Sequence, residues 1–541
     1  LVLFFIFRQI SWVIVCLLSS SYTIVLVFGM LGLLQIEITA ISSNFAALIF
    51  ILSVSMNIHI INYFRLLQNN KNKINKTLKY MFWPCLYTTL TTMVAFGSLI
   101  ITDIKPIIDF GFIMVISLII SLCCSFTILP LFILLFFSNK ESNYQQNILN
   151  INFFSGVKNH PKIIILTGTI LFIIFSLGSF KLGIENSFVN YFKKNTEIYK
   201  GMKLIDEELG GTTPIDIILT FNNNELLINN NDNLEIIEDD IDLEDEFSDD
   251  DFFNDNLTEN WFSEEKIEII SNIHNYLEER EEIGKVQSIL SLIELANQIN
   301  KKPLNLFELA VLYEEIPEEY KEDLIYPFLL VDKNLVKISA RVKDSRDINR
   351  KKLIVEIKNF IEKNKNKSLQ NYRVNGLLVL YNNMLDSLFE SQIKSLGFVL
   401  VLIFFMFLVL FKSLKLSILG IIPNIFASTF ILGIIGYLSI PLDIMTITIA
   451  AITIGIAVDN TIHYLYRFIE YKKNNTMTQS INLTNNSVGI AVLTTSITIA
   501  LGFSVLILSS FTPTVIFGLF TSMAMIFAMI GVLVFLPSLL L

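Results

Sequence analysis

Gly455-Ile456-Ala457-Val458-Asp459-Asn460-Thr461-Ile462-His463 interrupts a long apolar run, and the same chain carries Ile51-Leu52-Ser53-Val54-Ser55-Met56-Asn57-Ile58-His59 at an offset of 404. Ile58-His59 falls on Ile462-His463, and the register holds outward from there. Gly29 falls on Gly433, Gly32 on Gly436, Leu34 on Leu438 and Ile36 on Ile440. Over residues 88–137 the offset becomes 407, so that Thr88, Thr91, Phe96, Pro106, Phe110, Gly111, Leu129 and Pro130 match Thr495, Thr498, Phe503, Pro513, Phe517, Gly518, Leu536 and Pro537. Apolar helices share Leu and Ile by composition alone, but Pro, Gly and Thr in register mark an internal repeat.

Composition sets the environment of that repeat. Of 541 residues, 53% are hydrophobic and only 17% charged, which excludes a soluble globular protein of this size and points to a polytopic α-helical membrane protein. A net charge of −10 offers no basic face for a phosphate backbone, so nucleic acid is not an expected partner. No phosphate-cradling G-x-x-x-x-G-K-[ST] loop is present either. Cys16, Cys85, Cys123 and Cys124 all lie in apolar runs, which argues against a disulfide framework. His59, His160, His274 and His463 lack the paired spacing of a zinc site, so no metal is expected. The chain opens at Leu1 inside an apolar run too short to span, and it reads as a fragment rather than as a signal peptide.

A bilayer core needs roughly 20 apolar residues in a helix. Ten spans are expected near 12–34, 43–64, 81–102, 107–137, 163–180, 394–411, 414–438, 443–466, 488–510 and 514–541. Arg65, Lys71, Lys73, Lys76 and Lys79 crowd one loop, which the positive-inside rule places in the cytoplasm. Threading the spans from there predicts a first membrane repeat over 1–137, a cytoplasmic loop at 138–162, a separate span at 163–180, an extracytoplasmic segment at 181–393 and a second repeat over 394–541. Both copies enter from the same side, so they are parallel repeats. Symmetry predicts a further span and outer domain ahead of the first copy.

The outer segment reads as α+β. Pro214 to Phe221, Lys285 to Ile289, Leu335 to Lys343 and Tyr372 to Gly376 carry strand patterns, with Val336, Ile338, Ala340 and Val342 alternating onto one face. Glu265 to Glu279 and Asp347 to Lys363 read as helices. Two β-α-β units suggest a split ferredoxin-like sandwich. The Asn- and Asp-rich stretch 222–262 reads as a disordered acidic insertion and has no calcium-binding loop pattern.

Asp459 is the residue that needs a reason. A carboxylate at mid-membrane depth costs about 2.5–3.5 kcal/mol on insertion scales, so it is retained when paired, hydrated or functional. Gly455, Asp459 and His463 are spaced i, i+4, i+8 and share one helix stripe. Asp459 lies eight residues before Arg467, roughly 12 Å along the helix axis. Asp459 and His463 are therefore expected to form a proton relay; the competing reading is a structural hydrogen bond from Asp459 to a nearby Thr or Tyr. Asn460 and the hydroxyl-rich turn Thr494, Thr495, Ser496 and Thr498 are candidates to support the acid across the helix interface. Thr88, Thr89, Thr91 and Thr92 occupy the corresponding place in the first copy, and all these hydroxyls have a competing partner in their own helix backbone. Gly455 and Gly502 are expected to allow close helix approach. No catalytic constellation or cofactor motif emerges, so an enzyme is not expected and the proton gradient is the expected energy source.

These residues resemble the resistance–nodulation–division (RND) superfamily, most closely the hydrophobe/amphiphile exporters and MMPL-like lipid transporters with a sterol-sensing-type membrane domain. The likeness is carried by Gly455 to His463, by the hydroxyl turns Thr88 to Thr92 and Thr494 to Thr498 with Phe96 and Gly502-Phe503, and by Asn375-Gly-Leu-Leu-Val379 leading into a span. The resemblance implies twelve membrane helices, porter-type outer domains after the first and seventh, and proton-driven export of hydrophobic, amphiphilic or lipid-like molecules. It implies that this chain begins near the end of the second helix and that Asp459 occupies the relay position of the tenth. The fourth-helix acid of the family is replaced here by Ser55, and the glycine position by Ile51, which leaves Asn57 and His59 as polar partners from that copy. A multi-pass cell-membrane protein with lipidic partners, compatible with a homo-oligomer, is the expectation. A sterol- or lipid-sensing regulator and a protein-translocation accessory subunit share the architecture.

Overall fold

The computed structural model describes residues 2–39, 44–67, 72–102, 104–137, 160–183, 187, 189–222, 261–345, 348–443 and 445–541. The acidic insertion expected at 222–262 and the loop expected at 138–162 lie almost wholly outside the described residues. The chain divides into two units: Leu1–Glu185 with Leu385–Leu541, and Asn186–Met384.

In chain order the first unit opens with α1 (Val2–Phe7), α2 (Ile10–Leu33), α3 (Phe45–Leu66), α4 (Lys73–Gly97), α5 (Lys105–Phe137) and α6 (Pro161–Ser179). The second unit follows with α7 (Glu197–Glu208), β1 (Thr213–Phe221), α8 (Glu264–Glu278), β2 (Ile283–Gln287), α9 (Ile289–Asn300), α10 (Leu306–Glu315), β3 (Leu329–Leu330), β4 (Leu335–Val342), α11 (Arg350–Lys363) and β5 (Leu369–Asn375). The chain then runs through α12 (Leu377–Phe411), α13 (Leu414–Tyr437), α14 (Ile449–Lys472), α15 (Met477–Thr484), α16 (Ile490–Ser504), α17 (Thr512–Ile530) and α18 (Leu536–Leu540).

Among the described residues, nine helices are long and apolar enough to cross a membrane; the π-helical turns that join α15 to α16 and α17 to α18 make each of those pairs one span. The tenth expected span, α14, is not among the nine. Its 24 residues reach roughly 36 Å, ample for a bilayer, but Asp459, Asn460, Thr461 and His463 dilute its hydropathy. Burial explains how it tolerates them: every residue from Ile449 to Val458 is buried in the bundle.

The repeat seen in the sequence is geometric. α2 and α13 start and stop at the offset of 404, and each is followed by a non-glycine residue in the left-handed region, Gln35 at φ 52° and Ser439 at φ 51°. Both close with one hydrogen-bond pattern: Ile36 N to Leu31 O and Ile440 N to Ile435 O, each 3.1 Å, beside Gln35 N to Gly32 O and Ser439 N to Gly436 O, each 3.2 Å. This is a Schellman end, in which the left-handed residue lets its own amide and the next one satisfy carbonyls of the last turn. A left-handed non-glycine residue costs roughly 1–2 kcal/mol, so the same costly conformation at matched positions reflects a shared backbone path. A Cβ on Gly111 would meet Phe96 O at 2.8 Å, and one on Gly518 would meet Phe503 O at 2.7 Å, so the α4–α5 contact recurs as α16–α17.

In the second unit the sheet order is β2-β4-β1-β5, with β3 adding to β4, and all pairings are antiparallel. This is the ferredoxin-like order. Ile215, Ile217, Leu219 and Phe221 of β1 and Val336, Ile338, Ala340 and Val342 of β4 face one core with Ile270 and Ile273 of α8 and Ile357 and Ile361 of α11. Element boundaries in this unit shift by one to three residues from expectation, β5 beginning at Leu369, and two of the shifts have a local cause. β2 ends at Gln287 because Ser288 caps α9, its hydroxyl accepting from Leu290 N at 3.1 Å. α11 starts at Arg350 because Asn349 Oδ1 accepts from Lys352 N at 3.0 Å. The helices α7, α9 and α10 and the edge strand β3 are additions to the expected pattern.

Candidate functional site

The site grows from a close approach of two helices. A Cβ on Gly455 of α14 would lie 2.3 Å from the Cβ of Ala95 on α4, so only glycine permits the contact. The Thr92 hydroxyl of α4 donates to Gly455 O at 3.1 Å across that seam. One turn further along α14, Asp459 is 18% exposed, with Oδ1 3.3 Å from His463 Nε2. It opens on a cavity of about 20 Å³ lined by Thr88, Thr89 and Thr92 of α4, Leu52 and Met56 of α3 and Leu118 of α5.

The second copy therefore presents its acid to the hydroxyls of the first. This corrects the expectation that Thr494, Thr495 and Thr498 support Asp459. None of the three lines the cavity on which Asp459 opens, and their hydroxyls donate to their own helix, Thr494 and Thr495 to Ala491 O at 2.9 Å and Thr498 to Thr494 O at 2.8 Å. Asn460 also turns away, its amide donating to Ser496 Oγ at 2.9 Å. Gly502 lies on the mirror-related contact, where a Cβ would meet Ile51 Cγ1 at 2.8 Å. The residue missing as a glycine at position 51 is thus accommodated by the glycine on the opposite helix.

His59 and His463, which look scattered in the sequence, stack with ring centroids 4.1 Å apart and planes 11° from parallel. Donor atoms of His59, Asp459 and His463 all lie within 4.8 Å of one another, a geometry that could hold a metal ion although the spacing of the histidines in the sequence carries no zinc pattern. Asn57 does not join them. It accepts from Ser125 Oγ at 2.9 Å and donates to Ser20 Oγ at 3.0 Å, tying α2, α3 and α5 together. The matched positions in the second copy hold Asn424 and Thr461, 3.4 Å apart, the same polar bridge with amide and hydroxyl exchanged. Ser55, the counterpart of Asp459, is buried with no hydrogen-bond partner for its hydroxyl.

Two features escape a sequence reading. Asp443 is a buried acid with a local purpose, its Oδ1 accepting from the amides of Met445 and Thr446 at 2.8 Å each, so it closes the turn before α14. The second is an aromatic and ionic cover. Arg467 Nη1 donates to Glu470 Oε2 at 2.6 Å and to Tyr80 Oη at 2.5 Å, and Tyr80 stacks on Tyr63 at 4.4 Å. A cavity of about 50 Å³ lies between these groups and the two histidines.

A bundle of paired repeats with an acid at their seam can be set beside known proteins. Residues 332–541 match the model of the MMPL family. SecDF, a translocon-associated membrane protein from Thermus thermophilus, aligns over 97% of this chain and 58% of its own, with TM-score 0.55 and 12% identity. Disp, the hedgehog release protein of the water bear Hypsibius dujardini, aligns over 98% of this chain and 69% of its own, with TM-score 0.61 and 13% identity.

The fold is the one shared by SecDF and Disp.

A putative membrane protein of Methanocaldococcus jannaschii is 28% identical over 152 residues, which is 28% of this chain and 38% of that relative. This chain spans a little over half the length of SecDF and about two thirds of that of Disp, and the stretch matched in the archaeal relative is shorter still.

Proposed function

We propose that this chain is a proton-coupled secondary active transporter of the RND type that exports hydrophobic, amphiphilic or lipid-like molecules. The observation that carries the reading is Asp459, a membrane-depth acid 3.3 Å from His463, set on one repeat and facing the threonines of the other. A carboxylate at such a seam is charged or neutral according to its proton, and two packings of the seam that differ in polarity bind that proton differently. Proton occupancy then biases the equilibrium between them, which is the requirement for coupling. The two flanking cavities, about 20 and 50 Å³, each have room for water, which needs about 10–15 Å³.

In this reading the second unit faces the outside of the cell membrane and forms part of the substrate route. No catalytic residue or cofactor is required, because the gradient supplies the energy. Lipids and hydrophobic small molecules are the partners, and a homo-oligomer is compatible. The test is gradient-driven efflux of an amphiphilic dye from proteoliposomes. Asp459→Asn should reduce it to the rate without a gradient, and an unchanged rate would remove the relay. The fold likeness to SecDF supports a second reading, an accessory subunit of protein translocation; co-purification with a translocation channel, without dye efflux, would favour it.

A further inference from the structure

We propose that His59, Asp459 and His463 form a binding site for one divalent transition-metal ion of the zinc class, with two imidazole nitrogens and one carboxylate oxygen as ligands and water in the fourth position. The site rests on donor geometry and not on the transport reading.

The donor set is selective. Two imidazoles and one carboxylate suit zinc, cobalt, nickel or copper, whereas calcium and magnesium require six or more oxygen ligands. Here the clustered donors include one carboxylate and two imidazoles.

Distances point the same way. With metal–ligand bonds of about 2.0–2.1 Å, tetrahedral ligand atoms lie roughly 3.3 Å apart. His463 Nε2 and Asp459 Oδ1 are 3.3 Å apart, so two ligands stand at that separation. His59 brings the third donor within the 4.8 Å spread, and the remaining closure requires rotation of its side chain. That rotation breaks no hydrogen bond of His59 Nε2, which is buried and has no partner, and it has to slide the ring against the stacked His463. A buried polar atom without a partner is uncommon and requires an explanation, and a metal ligand provides one.

The fourth position is provided by cavities on both sides. His463 borders both spaces, His59 the larger and Asp459 the smaller. Charge does not oppose occupancy. With the imidazoles neutral, as metal ligation requires, the ion changes the site from −1 to +1 and leaves the magnitude of buried charge unchanged. Arg467, which lines the larger cavity, is paired with Glu470 at 2.6 Å. His59 lies on α3 of the first repeat and the other two ligands on α14 of the second, so the ion would bridge the repeats.

The test uses the full purified chain in detergent, stripped of metal. Zinc is titrated in competition with a chromophoric chelator, and cobalt(II) is added while visible absorption is recorded. The expected result is one tight zinc per chain, weakened at least about tenfold in His59→Ala and in His463→Ala and unchanged in His160→Ala, together with the intense bands of four-coordinate cobalt. Unchanged zinc affinity in His59→Ala, or a wild-type chain that neither competes for zinc nor alters the cobalt spectrum, overturns the proposal. If a histidine variant does not fold, the wild-type cobalt spectrum decides by itself. No gradient enters these measurements, so a negative result leaves the transport reading standing, and active export by Asp459→Asn would leave the metal site standing.

Discussion

The imidazoles of His59 and His463 lie face to face, 4.1 Å between centroids and 11° from parallel, although 404 residues separate them. They are equivalent positions of the two repeats, so their contact sits where the repeats' pseudo-symmetry axis passes through the bundle. Off that axis the two copies diverge, with Asp459 on one side and Ser55 on the other. A symmetric scaffold thereby carries an asymmetric charge, and the relay proposed here has a single acid.

His463 is the one side chain that pairs with Asp459 from its own helix. On the transport reading, His463→Gln should lower gradient-driven efflux on the order of a hundredfold, the scale of a positioned proton-transfer group, while the folded yield stays unchanged. Efflux within a factor of two of wild type would exclude the imidazole from the relay.

The Gly455–Ala95 contact leaves no space for a methyl group. Gly455→Ala should cost about 1–3 kcal/mol by overpacking. Ala95→Gly in the same chain should recover most of that loss, because it removes the atom that clashes. Thermal unfolding in detergent measures both, and a double variant no more stable than Gly455→Ala would show that the strain lies elsewhere.

Asn57 holds three helices through two hydrogen bonds. Asn57→Leu should cost about 1–3 kcal/mol by leaving buried hydroxyls unpaired. The second repeat builds its bridge with the amide on the other helix. The double variant Ser20→Asn with Asn57→Thr should therefore be more stable than Asn57→Thr alone. Equal stability of the two would mean that the bridges are not interchangeable.

In the second unit Arg280 bonds Glu282 at 3.2 Å and Glu356 at 2.6 Å while donating to Tyr276 Oη at 2.7 Å. Its hydrogen bonds hold both carboxyls below the ordinary carboxylate range. Depressed acids stabilise the fold above their unfolded-state values, and that contribution is lost as pH falls through the folded-state values. The stability gap between wild type and Arg280→Met, read from urea unfolding, should be full at neutral pH and should close below about pH 4. A gap independent of pH would assign the effect to packing of the arginine stem.

Much of this was legible because helices and strands write their period into the chain. Gly455, Asp459 and His463 share a stripe by spacing alone, and β4 shows its buried face by alternation. The additions α7, α9, α10 and β3 are not legible because they are short and lie between stronger patterns. The supporting threonines were assigned to the wrong copy for a different reason. Sequence places Thr88 and Thr495 at equivalent positions, and equivalence cannot say which of the two crosses to Asp459.

The sequence by itself determined a membrane bundle with an internal repeat, the α+β unit, and an acid and a histidine on one helix face, because each is a local pattern or a self-match. Only tertiary structure decided which copy faces which. That choice follows from volume: Gly455 fits against Ala95 and Ile51 fits against Gly502, whereas two large residues at either contact could not close. The close packing of those two seams brings His59 against His463 and turns the first repeat's hydroxyls toward Asp459.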